Sequence, residues 1–313
     1  MSEPWIDRSA ADAGLNDAGA RGDADRAPDS DEETGTRFGF GENWQTFLRQ
    51  IDEVRIRTAE QSIQELLGEE ELDGRTLLDI GCGSGLFSLA ARRLGARVTS
   101  FDFDANSVAC ALELRRRFFP DDADWTVLQG SVLDQPLLQR LGRFDIVYTW
   151  GVLHHTGAMW QAIRNAQDSV APGGRMVIAI YNDCGLESRI WRGIKRLYCR
   201  TPRLLQPGFA ALAYAPYEAR DAVGLARRGR FREYVHSWTR YRERRGMSKW
   251  VDIKDWVGGY PYEYASAGAI IEFFERHGFT ALEVRPTATL GCNEFVFRAP
   301  RTAGSDRVSA GPR

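Results

Sequence analysis

From Trp44 onward, apolar side chains recur at helical spacing, at Trp44, Phe47, Leu48, Ile51, Val54, Ile63, Leu66 and Leu67, and predict one long amphipathic helix ending near Gly68. Downstream, short β-rich runs alternate with helical stretches. Thr76–Ile80 precedes the helical run Leu86–Leu94, Arg97–Phe101 precedes Ala105–Phe119, and Trp125–Gln129 follows. Phe144–Thr149, a helix over Met159–Val170 and Arg175–Tyr181 continue the series. Strands that alternate with helices imply βαβ units, a parallel sheet and right-handed crossovers. The rhythm stops for 82 residues, Asp183 to Tyr264, where no strand pattern is visible and arginines and aromatics dominate. A helix over Ala267–His277 then leads to two β-like runs, Thr280–Arg285 and Asn293–Arg298, separated by a turn containing Pro and Gly. They are expected to close the sheet as an antiparallel edge pair. The fold class is therefore α/β: a doubly wound, seven-stranded sheet, mostly parallel, with no internal repeat.

Composition changes this picture only at the ends. Residues 1–36 carry ten acids and three arginines, net −7, so the formal −2 of the whole chain conceals a body of net +5. That acidic stretch and residues 301–313 have too little apolar surface to offset the entropy of ordering, and both are expected to be disordered. Between them the pattern predicts a first part of the domain over 37–182, an inserted basic and aromatic lid over 183–264, and a closing part over 265–300. The longest apolar run, Phe209–Ala215, is far shorter than the roughly 20 residues of a bilayer-spanning helix. Five cysteines without a CxxC pair argue for reduced thiols, and the acidic N-terminus lacks the features of a secretory signal. A cytoplasmic location, without a membrane span, is the expectation.

The sharpest motif is Leu77-Leu78-Asp79-Ile80-Gly81-Cys82-Gly83-Ser84-Gly85, an apolar strand that runs into a glycine-rich turn and opens a helix. Strand, turn and helix in that order let backbone approach a ligand closely at the first crossover. Asp102 ends the second strand, 21 residues after Gly81, where a carboxylate can accept hydrogen bonds from ribose hydroxyls. An adenosine ligand is implied. A dinucleotide fingerprint would need its third glycine at position 86, which is Leu86, and no Gly-Lys-Ser/Thr follows to make a P-loop. Asp79, two residues before the first glycine, opposes a pyrophosphate but suits a cationic amino-acid group. S-adenosyl-L-methionine fits these constraints best.

Over roughly Gly74 to Ala299 the chain resembles the class I S-adenosylmethionine-dependent methyltransferases, enzymes with a Rossmann-like sheet. Asp79-Ile80-Gly81-Cys82-Gly83-Ser84-Gly85 resembles their first motif and Phe101-Asp102 their second. Phe144–His155 and Ala171-Pro172-Gly173-Gly174-Arg175 are similar to the small-molecule branch that contains ubiquinone-biosynthesis-type methylases. Phe38–Trp44 and Gly258–Glu263 resemble a bacterial subgroup of that branch. The resemblance implies S-adenosyl-L-methionine as cofactor and a cofactor site formed by Asp79, Gly81, Cys82, Gly83, Gly85, Asp102, Phe103, Ser131, Val132 and Trp150. Ser131 stands where the family often has an acid for the adenine amino group, with Asp134 three residues on. Asp145, at the start of the fourth strand, reads as structural.

Acceptor chemistry is expected at the carboxyl edge of strands four and five, where ligands of open α/β sheets bind. Trp150 there is either a cation-π partner for a sulfonium or plain packing. His155 is the candidate general base, the alternative being that it bonds backbone and shapes its loop. The proposed acceptor walls are Trp44, Tyr181, Asn182, Trp256, Tyr260, Tyr262 and Glu263, joined by Phe38 and Phe40. Asn182-Asp183 resembles half of a metal site of catechol-type enzymes, but Trp150 stands where those enzymes carry an acid, so no metal is predicted. Residues 189–245 hold fifteen Lys or Arg against four acids, interleaved with aromatics, a mixture that could also bind RNA. Against that, the N-terminal stretch is acidic and the fourth strand lacks the Asn/Asp-Pro-Pro-aromatic signature of base-amino methylases. The reading is an enzyme that methylates a small-molecule acceptor, more readily at oxygen. RNA methylation and a non-catalytic S-adenosylmethionine-binding role stand as alternatives.

Overall fold

The computed structural model describes residues 37–39, 48, 51–241 and 248–301. The proposed wall residues Phe40 and Trp44 lie outside these, as do the acidic stretch 1–36 and residues 302–313.

Seven strands form one sheet: β1 (Thr76–Ile80), β2 (Arg97–Asp102), β3 (Trp125–Gln129), β4 (Phe144–Trp150), β5 (Val170–Tyr181), β6 (Thr280–Arg285) and β7 (Cys292–Arg298). Their order is β3-β2-β1-β4-β5-β7-β6. The first five are parallel, and β7 runs antiparallel to both β5 and β6. The doubly wound fold with its antiparallel C-terminal pair is therefore the one the alternation predicted. Strand order reverses between β1 and β4, and it is at such a switch point that the loops after adjacent strands diverge and leave a crevice.

Helices α1 (Glu53–Leu67), α2 (Leu86–Arg93) and α3 (Ala105–Phe118) cover one face, and α4 (Gln135–Leu141), α5 (Met159–Asp168) and α10 (Ala267–Arg276) the other. Alternation along each strand feeds both layers. Leu77, Ile146 and Val177 point into the first, and Leu78, Val147 and Ile178 into the second. The first helix is shorter than the apolar spacing suggests: Asp52 accepts the Arg55 N–H and caps α1 at Glu53, and Gly68 ends it in the left-handed region. Helix α4 was not legible in the sequence. Asp134 caps it by accepting the Leu137 N–H at 3.0 Å, so this acid serves the helix end. Asp145 accepts from the Thr76 N–H and hydroxyl, both at 2.9 Å, and ties β4 to β1.

Between β5 and α10 the described residues form four further helices, α6 (Leu186–Arg200), α7 (Gln206–Arg227), α8 (Phe231–Thr239) and α9 (Lys249–Gly258). The excursion leaves and returns at one point. Asn182 bridges to Ala265, and the Ala265 N–H donates to the Tyr181 carbonyl at 3.0 Å. Trp191, Tyr198, Tyr214, Ile253, Val257, Tyr260 and Tyr262 make a third apolar cluster there, which meets the sheet through Ala179, Tyr181 and Cys292.

Candidate active site

A cleft of about 660 Å³ opens at the carboxyl edge of the sheet, over the switch point. Its first end is the glycine turn. Gly81, Gly83 and Gly85 all have positive φ, at 73°, 53° and 81°. A Cβ on Gly81 would lie 2.4 Å from Val152 Cγ1, so only glycine lets the turn pass the loop after β4. The Gly81 and Cys82 N–H groups donate to the Phe101 carbonyl and the Gly83 N–H to Asp102 Oδ2 at 2.9 Å, which fastens the turn to the end of β2.

Of the expected cofactor residues, the cleft is lined by Asp79, Gly81, Cys82, Gly83, Asp102, Phe103, Ser131, Val132 and Trp150. Gly85 is not on the cleft. A Cβ there would fall 2.9 Å from both Cα and Cβ of Ala111, so this glycine lets α2 pack against α3. Ser131 Oγ accepts the Leu133 N–H at 3.1 Å and turns the chain beneath the opening.

Two carboxyl groups flank the turn in different environments. Asp102 accepts from Gly83 and, through Oδ1, from Asp104 N–H at 2.9 Å; burial still raises its pKa above the ordinary carboxyl value. A carboxylate has about four lone-pair sites, so two N–H donors leave capacity for ribose hydroxyls. Asp79 is 3% exposed and accepts from the Ser88 hydroxyl at 2.5 Å. Burial, reinforced by the charge of Asp102, pushes its pKa to about 7 against the lowering effect of Ser88. This donor set, one carboxylate for hydroxyls and one buried carboxyl for a cation, fits the ribose and amino-acid ends of S-adenosylmethionine.

The raised pKa has a definite sign. Below about pH 4 both folded and unfolded chains hold the Asp79 proton. As pH rises toward about 7 the unfolded chain ionises first, so stability falls, and it levels off once the folded group ionises as well. A bound ammonium favours the ionised form. Affinity for S-adenosylmethionine is therefore expected to rise about tenfold between roughly pH 6 and pH 8, and Asp79→Asn to remove both the pH dependence and much of the affinity. Titration calorimetry across that range checks it; a flat profile for the wild type would place the amino group elsewhere.

A profile of the methyltransferase-domain family matches residues 51–284. The chain belongs to the class I S-adenosylmethionine-dependent methyltransferases. A ubiquinone biosynthesis O-methyltransferase of Methylobacterium sp. (strain 4-46) is 34% identical over 116 residues, 37% of this chain and 45% of that protein. A tRNA U34 carboxymethyltransferase of Klebsiella pneumoniae is 31% identical over 108 residues, 34% of this chain and 31% of that protein. The chain thus spans less than half of the length of either relative. The magnesium protoporphyrin IX methyltransferase of Synechocystis PCC 6803, solved with bound SAH, shares the fold at a TM-score of 0.50 and 15% identity, over 85% of this chain and 99% of that one. S-adenosylmethionine is the cofactor of the class.

In this methyltransferase the cleft continues past Trp150 and Val152 into a chamber walled by Phe38, His155, Tyr181, Tyr260 and Pro261. The remaining expected wall residues stand behind it. Tyr262 is 1% exposed and packs against Tyr181, Trp256 and Tyr264. Trp256 lies edge-on to Tyr181 and over the ammonium of buried Lys195, 4.0 Å from the ring centroid. Asn182 donates to the Thr287 carbonyl at 2.9 Å and accepts from Asn293, which pins the β6–β7 connection, away from the chamber. Glu263 Oε2 accepts the Met159 N–H at 2.9 Å and so caps α5. These four corrections share a cause: a polar or aromatic residue beside a site in sequence is often consumed by the scaffold that positions the site.

His155 lines the chamber, and its Nδ1 lies 2.7 Å from the Pro261 carbonyl, so that nitrogen carries the proton. Burial lowers its pKa to about 3. An imidazole that weak is neutral throughout the working range and competes poorly for a hydroxyl proton, which favours the loop-shaping reading over the general base. The sequence reading missed three chamber residues with charged side chains: Arg37, whose guanidinium donates to the Thr156 carbonyl at 2.7 Å, and Asp252 and Asp255 of α9. Two acids three apart on a helix look like any solvated face until the helix is docked.

Proposed function

We propose that this protein transfers the methyl group of S-adenosylmethionine to an oxygen of a small-molecule acceptor held under the helical insert. The observation that carries the reading is the continuity of the cleft, from the glycine turn through Trp150 to a chamber roofed by α9 and the Tyr260-Pro261 segment. S-adenosylmethionine supplies an activated methyl group when bound. Gly81, Gly83, Asp79 and Asp102 hold and orient it, Trp150 and Tyr181 exclude water at the junction, and Asp255, next to an Asp252 that receives the Tyr241 hydroxyl, accepts a hydrogen bond from the acceptor. Holding both partners in a dry site supports an in-line displacement, because little covalent work is left to the protein. The Methylobacterium relative is an O-methyltransferase, which favours oxygen.

RNA methylation has a specific observation behind it, the match to the Klebsiella tRNA enzyme, together with the basic insert. Against it, the chamber's charged lining is Asp252 and Asp255 against Arg37, whose guanidinium already donates to the Thr156 carbonyl, a balance that does not favour phosphate.

The test is release of S-adenosylhomocysteine with panels of phenols, aliphatic hydroxy compounds and amines, with bulk tRNA as a parallel arm. Turnover on a hydroxyl compound supports the proposal. Turnover on tRNA alone, or cofactor binding without turnover on any acceptor, overturns it. With an acceptor in hand, Asp255→Asn is expected to raise its KM about tenfold or more, through loss of a charged hydrogen bond, while cofactor affinity stays near the wild-type value. Equal loss of both would make Asp255 a scaffold residue.

A further inference from the structure

The insert has a second face. On α6 the exposed positions Leu186, Ile190 and Leu197 form a stripe at intervals of four and seven residues, 65%, 53% and 57% exposed. At the corner into α7, Leu204 and Leu205 are 91% and 59% exposed, and Leu212 on α7 is 78% exposed. Soluble surfaces carry scattered exposed apolar residues, but a run of leucines along one helix and its following corner marks a binding surface. The first twelve residues of α7, Gln206 to Tyr217, contain no charged side chain.

Charge tells what covers the stripe. From Leu186 to Leu205 the chain carries Arg189, Arg192, Arg196, Arg200 and Arg203 against a single acid, Glu187, while Lys195 is turned inward and fully buried. Backbone phosphates would be met by the arginines alone and leave the leucine stripe uncovered, and a purely apolar partner would leave exposed arginines such as Arg189 and Arg203 unanswered. Leucines that enter the acyl boundary, beside arginines level with phosphate headgroups, match an anionic lipid surface.

We infer that the α6–α7 corner docks this methyltransferase on an anionic membrane surface and that its acceptor is amphiphilic, taken up from that surface. The second half of the inference rests on the small-molecule reading above. The opposite face of α6 connects the two halves. Its Trp191, Lys195 and Tyr198 pack beneath Trp256, Tyr262 and Phe38, the elements behind and around the acceptor chamber. One helix thus bears the docking stripe on its outer side and supports the chamber on its inner side. No helix among the described residues is long and apolar enough to cross a membrane, so the contact is peripheral.

The experiment is co-sedimentation of the full chain with vesicles of mixed phosphatidylcholine and phosphatidylglycerol, and with vesicles of phosphatidylcholine alone. The expected result is binding to the mixed vesicles at least about tenfold stronger than to neutral ones. Leu204→Ser combined with Leu212→Ser should abolish it, and Arg189→Gln combined with Arg203→Gln should reduce it to the neutral level. All four positions are exposed, and an unchanged melting temperature and cofactor titration would show that fold and active site are intact. The inference is overturned if the wild type ignores mixed vesicles, binds both kinds equally, or keeps its binding in the leucine variant. It is also overturned if sedimentation velocity shows a wild-type dimer that the leucine variant loses, since a second copy would then cover the stripe. The readout needs no turnover, so failure of the acceptor assay and failure of docking are distinguishable.

Discussion

Asp102→Ala is expected to weaken S-adenosylmethionine binding by about 100-fold, since hydrogen bonds to a charged group contribute about 1.5 to 3 kcal/mol each. Two losses combine at this position. The carboxylate at the end of β2 is the acceptor proposed for the ribose hydroxyls, and it also receives the Gly83 and Asp104 N–H groups at 2.9 Å each. Removing it frees the glycine turn as well as the ligand contact. Asp102→Asn should recover little, because the amide NH2 group would have to face one of those two N–H donors. Calorimetry on both variants decides the matter. Affinity within threefold of the wild type would mean that the ribose is held by other groups.

Gly85→Ala should lower the unfolding free energy by about 3 kcal/mol, combining the cost of a left-handed conformation with that of overpacking. Gly85 begins α2 at φ 81°, and its missing Cβ is the space that α3 fills with Ala111. Relief through a side-chain rotation is unavailable, since the obstructing atoms include backbone Cα of Ala111. A second change, Ala111→Gly, should return part of the stability and leave the φ cost in place. Denaturant unfolding of the single and double variants tests this. A single variant as stable as the wild type would contradict the close approach of the two helices.

These two residues do different work although one closes the first motif and the other ends its partner strand. Asp102 lines the cleft, whereas Gly85 faces a helix, and the sequence reading grouped them because spacing records only that a tight turn opens a helix. The same blurring affected Asn182, Glu263 and Tyr262. Each lies within two residues of a cleft residue, Tyr181, Pro261 or Tyr260, yet each is taken up by a strand connection, a helix end or an aromatic cluster.

What the sequence determined by itself was everything that depends on local periodicity and on backbone conformations few residues can adopt. Alternating strand and helix patterns specify a parallel doubly wound sheet, because βαβ crossovers have one hand and bury both faces. Glycines after an apolar strand specify a tight turn at positive φ, and an acid ending the next strand stands beside it at the cleft. Tertiary structure alone decided which face of each later helix meets the cleft. It brought Asp252 and Asp255 of α9 and Arg37 to one chamber, buried Lys195 among aromatics and left the leucines of α6 exposed on the other side. The reason is that these relations join residues up to more than 200 positions apart, through the packing of the insert on the sheet. A helical period shows that a helix has two faces, but what covers each face is set only by the surfaces the fold brings against it.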